Sequence, residues 1–243
     1  MRQSLKLTAL LLAAATLACT VSVPSFSSTS GSGNVITLTK DFTGFDQVEI
    51  GSAFEATVQQ GDSFSVVIRF DDNLEADLEV NLVGQTLEIG LDPDRILGIG
   101  DATLEAEITM PTLAGVEASG ASHVTLAGFD SGQTLRVVAS GASSVGGEIR
   151  AGETSMEASG ASSISLAGGA ANLVLEISGA SSVDLESFPV TDLRAELSGA
   201  SSAVLNANGT LDVEASGPSE LSYLGNPTLG SVNTSGASSV GEK

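Results

Sequence analysis

The side chains of this chain that could do chemistry come in rows. A serine followed by glycine recurs at Ser119, Ser140, Ser159, Ser178, Ser198, Ser216 and Ser235, in segments such as "EASGASHV" from Glu117 and "TSGASSV" from Thr234. Serine beside glycine suggests an acyl-transfer nucleophile, which needs a general base held against one activated hydroxyl. The chain has a single histidine, His123, in a slot that the other copies mostly fill with serine. A base that occurs in one copy, at a variable corner, reads as a surface substitution. There is no GxxxxGK[ST] phosphate loop, and one histidine with one cysteine leaves no zinc set. The chain is therefore read as non-enzymatic, with no catalytic or cofactor-binding residue assigned.

Glutamates form a second row. Two positions before the repeat serine stand Glu117, Glu157, Glu176, Glu196 and Glu214, while Val138 and Asn233 interrupt the series. On a strand whose neighbouring residues point inward these carboxylates point out, and stacking places successive ones about 5 Å apart. A hard cation such as Ca²⁺ could bridge them, with Glu157, Glu176, Glu196 and Glu214 as the candidate ligands. The simpler reading is that they splay into water and are screened by salt. The GGxGxDxUx pattern of calcium-bound β-roll repeats is absent.

The only cysteine, Cys19, closes a segment with an export pattern. Arg2 and Lys6 precede an apolar run, Leu7 to Leu17, that is too short to span a bilayer and ends in "TLAC". A small residue before a lone cysteine at this place is the pattern of a bacterial lipoprotein site, so Cys19 is the expected lipidation site. Leu17 stands one place closer to the cysteine than usual, and the alternative is ordinary secretion. The Ser/Gly/Thr-rich stretch from Thr20 to Asn34 reads as a flexible tether. Both readings put the mature chain outside the cytoplasm, in or on the cell envelope.

Something must position these rows. The repeat serines are spaced 21, 19, 19, 20, 18 and 19 residues apart. Before them, apolar residues alternate with polar ones, as in Leu173, Leu175, Ile177 and Leu211, Val213, Ala215; alternation resumes afterwards, as in Val124, Leu126 and Ile164, Leu166. Period two means strands with one buried face, and the Ser-Gly-Ala cluster between them is a corner whose alanine is expected to point inward. A unit of about 19 residues suits one closed coil of three short strands. The fold expected is an all-β parallel β-solenoid, its repeat column running over 113–243. Residues 35–112 carry strand patterns without the repeat and read as an irregular β cap over one end. There the loop Asp92–Asp101 (with Ile96, Leu97 and Ile99) either covers the column or meets a partner, and "GSAFEATV" reads as a degenerate coil.

Composition agrees. Of 243 residues 42% are hydrophobic but only 4% aromatic, so the core is built of thin aliphatic layers. The net charge of −21 repels nucleic acid and anionic membrane surfaces.

The order of segments resembles a known family. "DFTGFDQVEIGSAFEATVQQGD", "DNLEADLEV", "LEIGL" and "ITMP", then the "SGASSV" units and the ending "YLGNPTLGSVNTSGASSV", together look like the bacterial head GIN domain family, described as autotransporter adhesins. The resemblance covers residue 35 to the C-terminus. It implies a right-handed β-helix and a cell-envelope location, and brings no catalytic residues. The expected function is an adhesion or interaction module, membrane-anchored through Cys19, with an envelope protein or glycan as partner. The alternatives are a structural or divalent-cation-dependent envelope component, and a polysaccharide-acting enzyme. One tyrosine, no tryptophan and few arginines argue against the last.

Overall fold

The computed structural model describes residues 28–96 and 98–243. The export segment, Cys19, the first part of the tether and Leu97 lie outside the described residues. In chain order the strands are β1 (Val35–Lys40), β2 (Gln47–Ile50), β3 (Glu55–Gln60), β4 (Ser65–Asp71), β5 (Leu78–Val83), β6 (Thr86–Leu91) and β7 (Leu104–Met110). Next come β8 (Gly115–Ala118), β9 (His123–Asp130), β10 (Leu135–Ala139), β11 (Ser144–Arg150), β12 (Glu153–Ala158), β13 (Ser163–Ile177) and β14 (Ser182–Leu197). The last are β15 (Ser202–Ala207), β16 (Thr210–Ala215), β17 (Glu220–Gly225), β18 (Thr228–Thr234) and β19 (Ser239–Glu242). All 19 belong to one sheet. The described residues contain no α-helix and one 3₁₀ turn, Asp72–Leu74.

The sheet winds into the expected solenoid. One face stacks β6, β2, β8, β10, β12, the second halves of β13 and β14, then β16 and β18 in parallel. The other stacks β7, β3, β9, β11, the first halves of β13 and β14, then β15, β17 and β19. Each rung is a first-face strand, a corner and a second-face strand. β13 and β14 are long because each bends from one rung into the next without a loop, with a register shift at the bend.

The inward positions read from the alternation are buried: Leu173, Leu175, Ile177, Val183 and Leu185 are each at most 2% exposed. Burying one such side chain contributes about 1.5–3 kcal/mol, and each rung repeats the gain on the rung below.

The corner differs from its expected orientation. The alanines at 121, 142, 161, 180 and 200 are exposed, and the buried residue is the serine that follows: Ser122, Ser143, Ser162, Ser181, Ser201 and Ser219, each at most 2% exposed. The in–out alternation carries straight through the corner: Ala118, Ser122 and Val124 are buried, as are Ile177, Ser181 and Val183, so the serine and not the alanine holds the inward phase. The glycine before the alanine makes the turn, with φ between 68° and 79° at Gly120, Gly141, Gly160 and Gly179. Some of the buried hydroxyls donate to backbone, Ser143 Oγ to the carbonyls of Ala118 (2.8 Å) and Ser140 (2.7 Å) and Ser162 Oγ to that of Ala139 (2.9 Å), while those of Ser201 and Ser219 have no partner among the described residues. A hydroxyl on a one-carbon side chain can close its own corner and tie it to the rung below, as Ser143 does.

The N-terminal half supplies rungs as well as a cap. β2–β3 lies between β6–β7 and β8–β9, out of sequence order. Its register pairs Ala56 with Val124 and Val58 with Leu126, the correspondence visible in "GSAFEATV". Beyond β7 the second face ends in antiparallel β4 and β1, and beyond β6 the first face ends in antiparallel β5. This end is wider than the repeat column, and Phe45, Phe54 and Phe70 fill it.

The stretch read as a tether is docked from Thr29 to Asn34. Thr29 bridges Ile99, and the Gly33 amide donates to Asp71 Oδ1 at 2.6 Å. Asp71, 2% exposed, also accepts from the Thr103 amide at 2.7 Å. Buried amides must be satisfied, and this carboxylate satisfies two. Composition alone could not reveal that partner.

Candidate functional site

The glutamate row becomes a ladder longer than the repeat. The first-face register runs Glu88, Glu49, Glu117, Val138, Glu157, Glu176, Glu196, Glu214, Asn233. Seven carboxylates therefore occupy one outward line over nine rungs. Val138 splits them into a group of three and a group of four. Glu157 pairs with Arg136 on its outward face at 3.3 Å, while Glu176, Glu196 and Glu214 are exposed without a salt bridge. At strand spacing each neighbouring pair repels by about 1 kcal/mol in water, less at physiological salt.

Glu49 and Glu88 are the members that the serine repeat does not mark. Their signal is present in another form. "VEIGS" at Val48 aligns with "VEASG" at Val116, and "LEIGL" at Leu87 with "LEISG" at Leu175, once glycine is allowed in the serine slot.

At its capped end the ladder borders a cleft of about 520 Å³. Its roof is the loop between β6 and β7, which replaces the four-residue corner of every other rung. Ile96 and Ile99 of that loop pack against the core, so the loop covers the column. Arg95 holds it to the hairpin through Asp77 (2.9 Å) and the Ala76 carbonyl (2.8 Å). Glu49, Glu79 and Glu88 face the cleft beside Leu91, and no basic side chain lines it. The surroundings suit a group that is apolar in body and cationic at its tip.

Desolvation in this wall, followed by the charges of Glu117 and Glu88, pushes the Glu49 carboxyl above the usual glutamate range. The ionised form is thus penalised in the fold. The penalty is absent below the unfolded-state value of 4.5 and complete once pH has risen through the folded value. Glu49→Gln is therefore expected to raise the melting temperature by about 1–3 °C at pH 7 and to leave it unchanged below about pH 4. Thermal melts at both values check this; an equal shift at both would mean that Glu49 acts through packing.

The remaining candidates do not assemble a reactive centre. His123 lies exposed on β9, hydrogen-bonded through Nδ1 to Ser144 on the next rung, in the row of outward serines. The buried corner serines face no imidazole; Ser122, Ser143 and Ser162 bond to backbone carbonyls, and the Ser201 and Ser219 hydroxyls have no partner among the described residues. Among the described residues no three His, Cys, Asp or Glu side chains are grouped to hold a metal ion. None of the described helices is long and apolar enough to cross a membrane.

A protein-family model described as "Putative auto-transporter adhesin, head GIN domain" matches residues 44–227, well over half of the chain. The chain belongs to the head GIN domain family. Crystal structures repeat the architecture. A "putative adhesin" from Bacteroides fragilis superposes with a TM-score of 0.74 at 19% identity, over 88% of this chain and 100% of that one. One from Parabacteroides distasonis gives 0.72 at 14% identity, over 89% and 100%. A "putative lipid binding protein" from the same organism gives 0.66 at 17%, over 89% and 100%. At these identities the likeness is one of fold. No curated protein matches the chain.

In this head GIN domain the matched region begins at Gly44, just ahead of β2, and ends at Pro227, before β18. It contains the ladder from Glu49 to Glu214 and the cleft, and leaves out the last rung. The terminal β18–β19 pair is thus a feature of this chain beyond the matched region.

Proposed function

We propose that this head GIN domain is an exported, envelope-held adhesion module that binds through its acidic first face and the cleft at the end of that face. The observation that carries the reading is the outward ladder of seven glutamates, interrupted at Val138, on a stacked column, in a chain whose family is described as adhesin. A stacked sheet keeps its carboxylates at fixed spacing, so a cationic or amine-bearing envelope surface meets a regular array rather than a mobile tail. Cys19 is the proposed acylation site and holds the column to a membrane. No catalytic step is assigned. The net charge and the acidic cleft disfavour nucleic acid and anionic lipid headgroups, so the lipid-binding description of one structural relative is not carried over.

The test uses the chain from Ser28 onward, immobilised, against isolated envelope protein, a glycan panel and a lysine-rich peptide. Binding is expected to fall at least about tenfold between 0.15 and 0.5 M salt, and in the combined Glu157→Gln, Glu176→Gln, Glu196→Gln, Glu214→Gln variant. Binding unaffected by both would remove the ladder from the function. The intact mass of the mature protein reads Cys19 directly, since an acylated N-terminus is heavier than a secreted one.

The ladder is proposed to be screened rather than bridged. At matched ionic strength, CaCl₂ and NaCl should shift the melting temperature equally, within about 1 °C. A larger rise specific to calcium and reversed by EDTA would instead make Glu157, Glu176, Glu196 and Glu214 a cation site.

A further inference from the structure

The last rung breaks the pattern of the column in three ways. First, its core is open. Leu229 is 49% exposed and Val232 39%, whereas their register partners one rung below, Leu211 and Val213, are 0% and 3% exposed. Second, among the described residues no strand pairs with the outer edge of β18 or β19, so two rows of backbone N–H and C=O groups are left unpaired. Third, the rung is nearly uncharged. Asn226 to Gly241 contain no Asp, Glu, Lys, Arg or His, and Glu242, the last residue of β19, is the single charged residue of its two strands, whereas each of the other eight rungs carries at least two. The ladder itself changes from Glu214 to Asn233 at this step, and the second face from Glu220 to Ser239.

Exposed edges are normally blunted with charge. This chain carries a net charge of −21, so almost any surface of it repels its own copy. This rung, with Glu242 alone at the far end of β19, is where two copies meet with the fewest opposing carboxylates. The capped end offers no equivalent partner, because its edge strands carry Lys40 on β1 and Glu79 on β5.

We propose that the β18–β19 end is a homotypic docking surface. Two copies join tail to tail about a two-fold axis, with β18 antiparallel to β18 of the copy. A rotation about the sheet normal keeps inward side chains inward, so Leu229 and Val232 of each copy close the core of the other. The contact is isologous and therefore stops at a dimer. Ser28 leaves the column at the opposite, capped end. On the envelope-held reading proposed above, and resting on it for this point alone, the surface is the one farthest from the anchor.

The experiment is sedimentation of the full exported chain carrying Cys19→Ser, from about 1 to 200 μM. It needs no anchoring, so its failure is distinct from failure of the envelope reading. The expected result is a monomer–dimer equilibrium that tightens as salt rises, with no larger species. Val232→Lys sets like charges into the joint core. Asn233→Glu sets them on its outer face without touching any core. Both are expected to weaken the dimer by at least about tenfold. The melting curve of Asn233→Glu at about 1 μM should match that of the parent, which separates loss of docking from loss of fold. A monomer throughout the range, open-ended polymers, or a dimer indifferent to both variants would each overturn the proposal. So would an edge that takes up only a foreign strand.

Discussion

Gly160→Ala is expected to lower the melting temperature by at least about 6–12 °C, the equivalent of about 3 kcal/mol or more in a domain of this size. Two costs add. Gly160 has φ 79°, which costs an L-residue about 1–3 kcal/mol. A Cβ there would also stand 2.6 Å from the Gly141 carbonyl oxygen of the rung below. That oxygen already accepts the Ala161 amide at 2.7 Å, so it cannot move aside without breaking a rung-to-rung bond. The corners repeat, so opening one disturbs both its neighbours. Ala161→Ser, one residue along, is the control. Ala161 is exposed, and the change is expected to stay within about 0.5 kcal/mol. Chemical or thermal unfolding of the pair decides it; equal stabilities would mean that the corner stack is not under steric control.

Phe54→Ser is expected to cost about 3–5 kcal/mol, although it makes the β2–β3 corner more like the repeat. Phe54 occupies the place that Ser122 holds on the next rung, since Glu55 pairs with His123 and the His123 amide donates to the Phe54 carbonyl at 2.8 Å. Both side chains are buried, but in different surroundings. Ser122 closes a narrow corner by donating to the Ser119 carbonyl at 2.7 Å. Phe54, 0% exposed, fills the wider capped end with Phe45 and Phe70. Serine there would leave a large cavity and bring a hydroxyl into it. Denaturant unfolding is the measurement; a gain in stability would show that the repeat pattern, and not the local core, sets this position.

Much of the ladder was legible before any coordinates. Glu117, Glu157, Glu176, Glu196 and Glu214 were read as one outward row because period-two alternation fixes which side of a strand a residue occupies and a constant period fixes what it stacks on. Glu49 and Glu88 escaped because their corners lack the serine, and because their neighbours in the column are not their neighbours in the chain. The cleft was not legible at all. Its walls come from the β5–β6 hairpin, the β6–β7 loop and two corners nearly 70 residues apart.

The corner is legible once the alternation is counted through it. From Ala118 to Val124, or from Ile177 to Val183, every second residue leads to Ser122 or Ser181, so the buried corner residue is the serine and the alanine faces out.

What the sequence by itself determined is the repeating unit: an all-β chain, coils of about 19 residues, small corners, aliphatic layers and carboxylates on the outside. These follow from local periodicity, since each rung must bury the same positions to stack on the next. What only the tertiary structure decided is the order of stacking. Any strand with the same apolar alternation can lie on any other, so placing β2–β3 between β6–β7 and β8–β9 was settled by the antiparallel strands and phenylalanines that close one end.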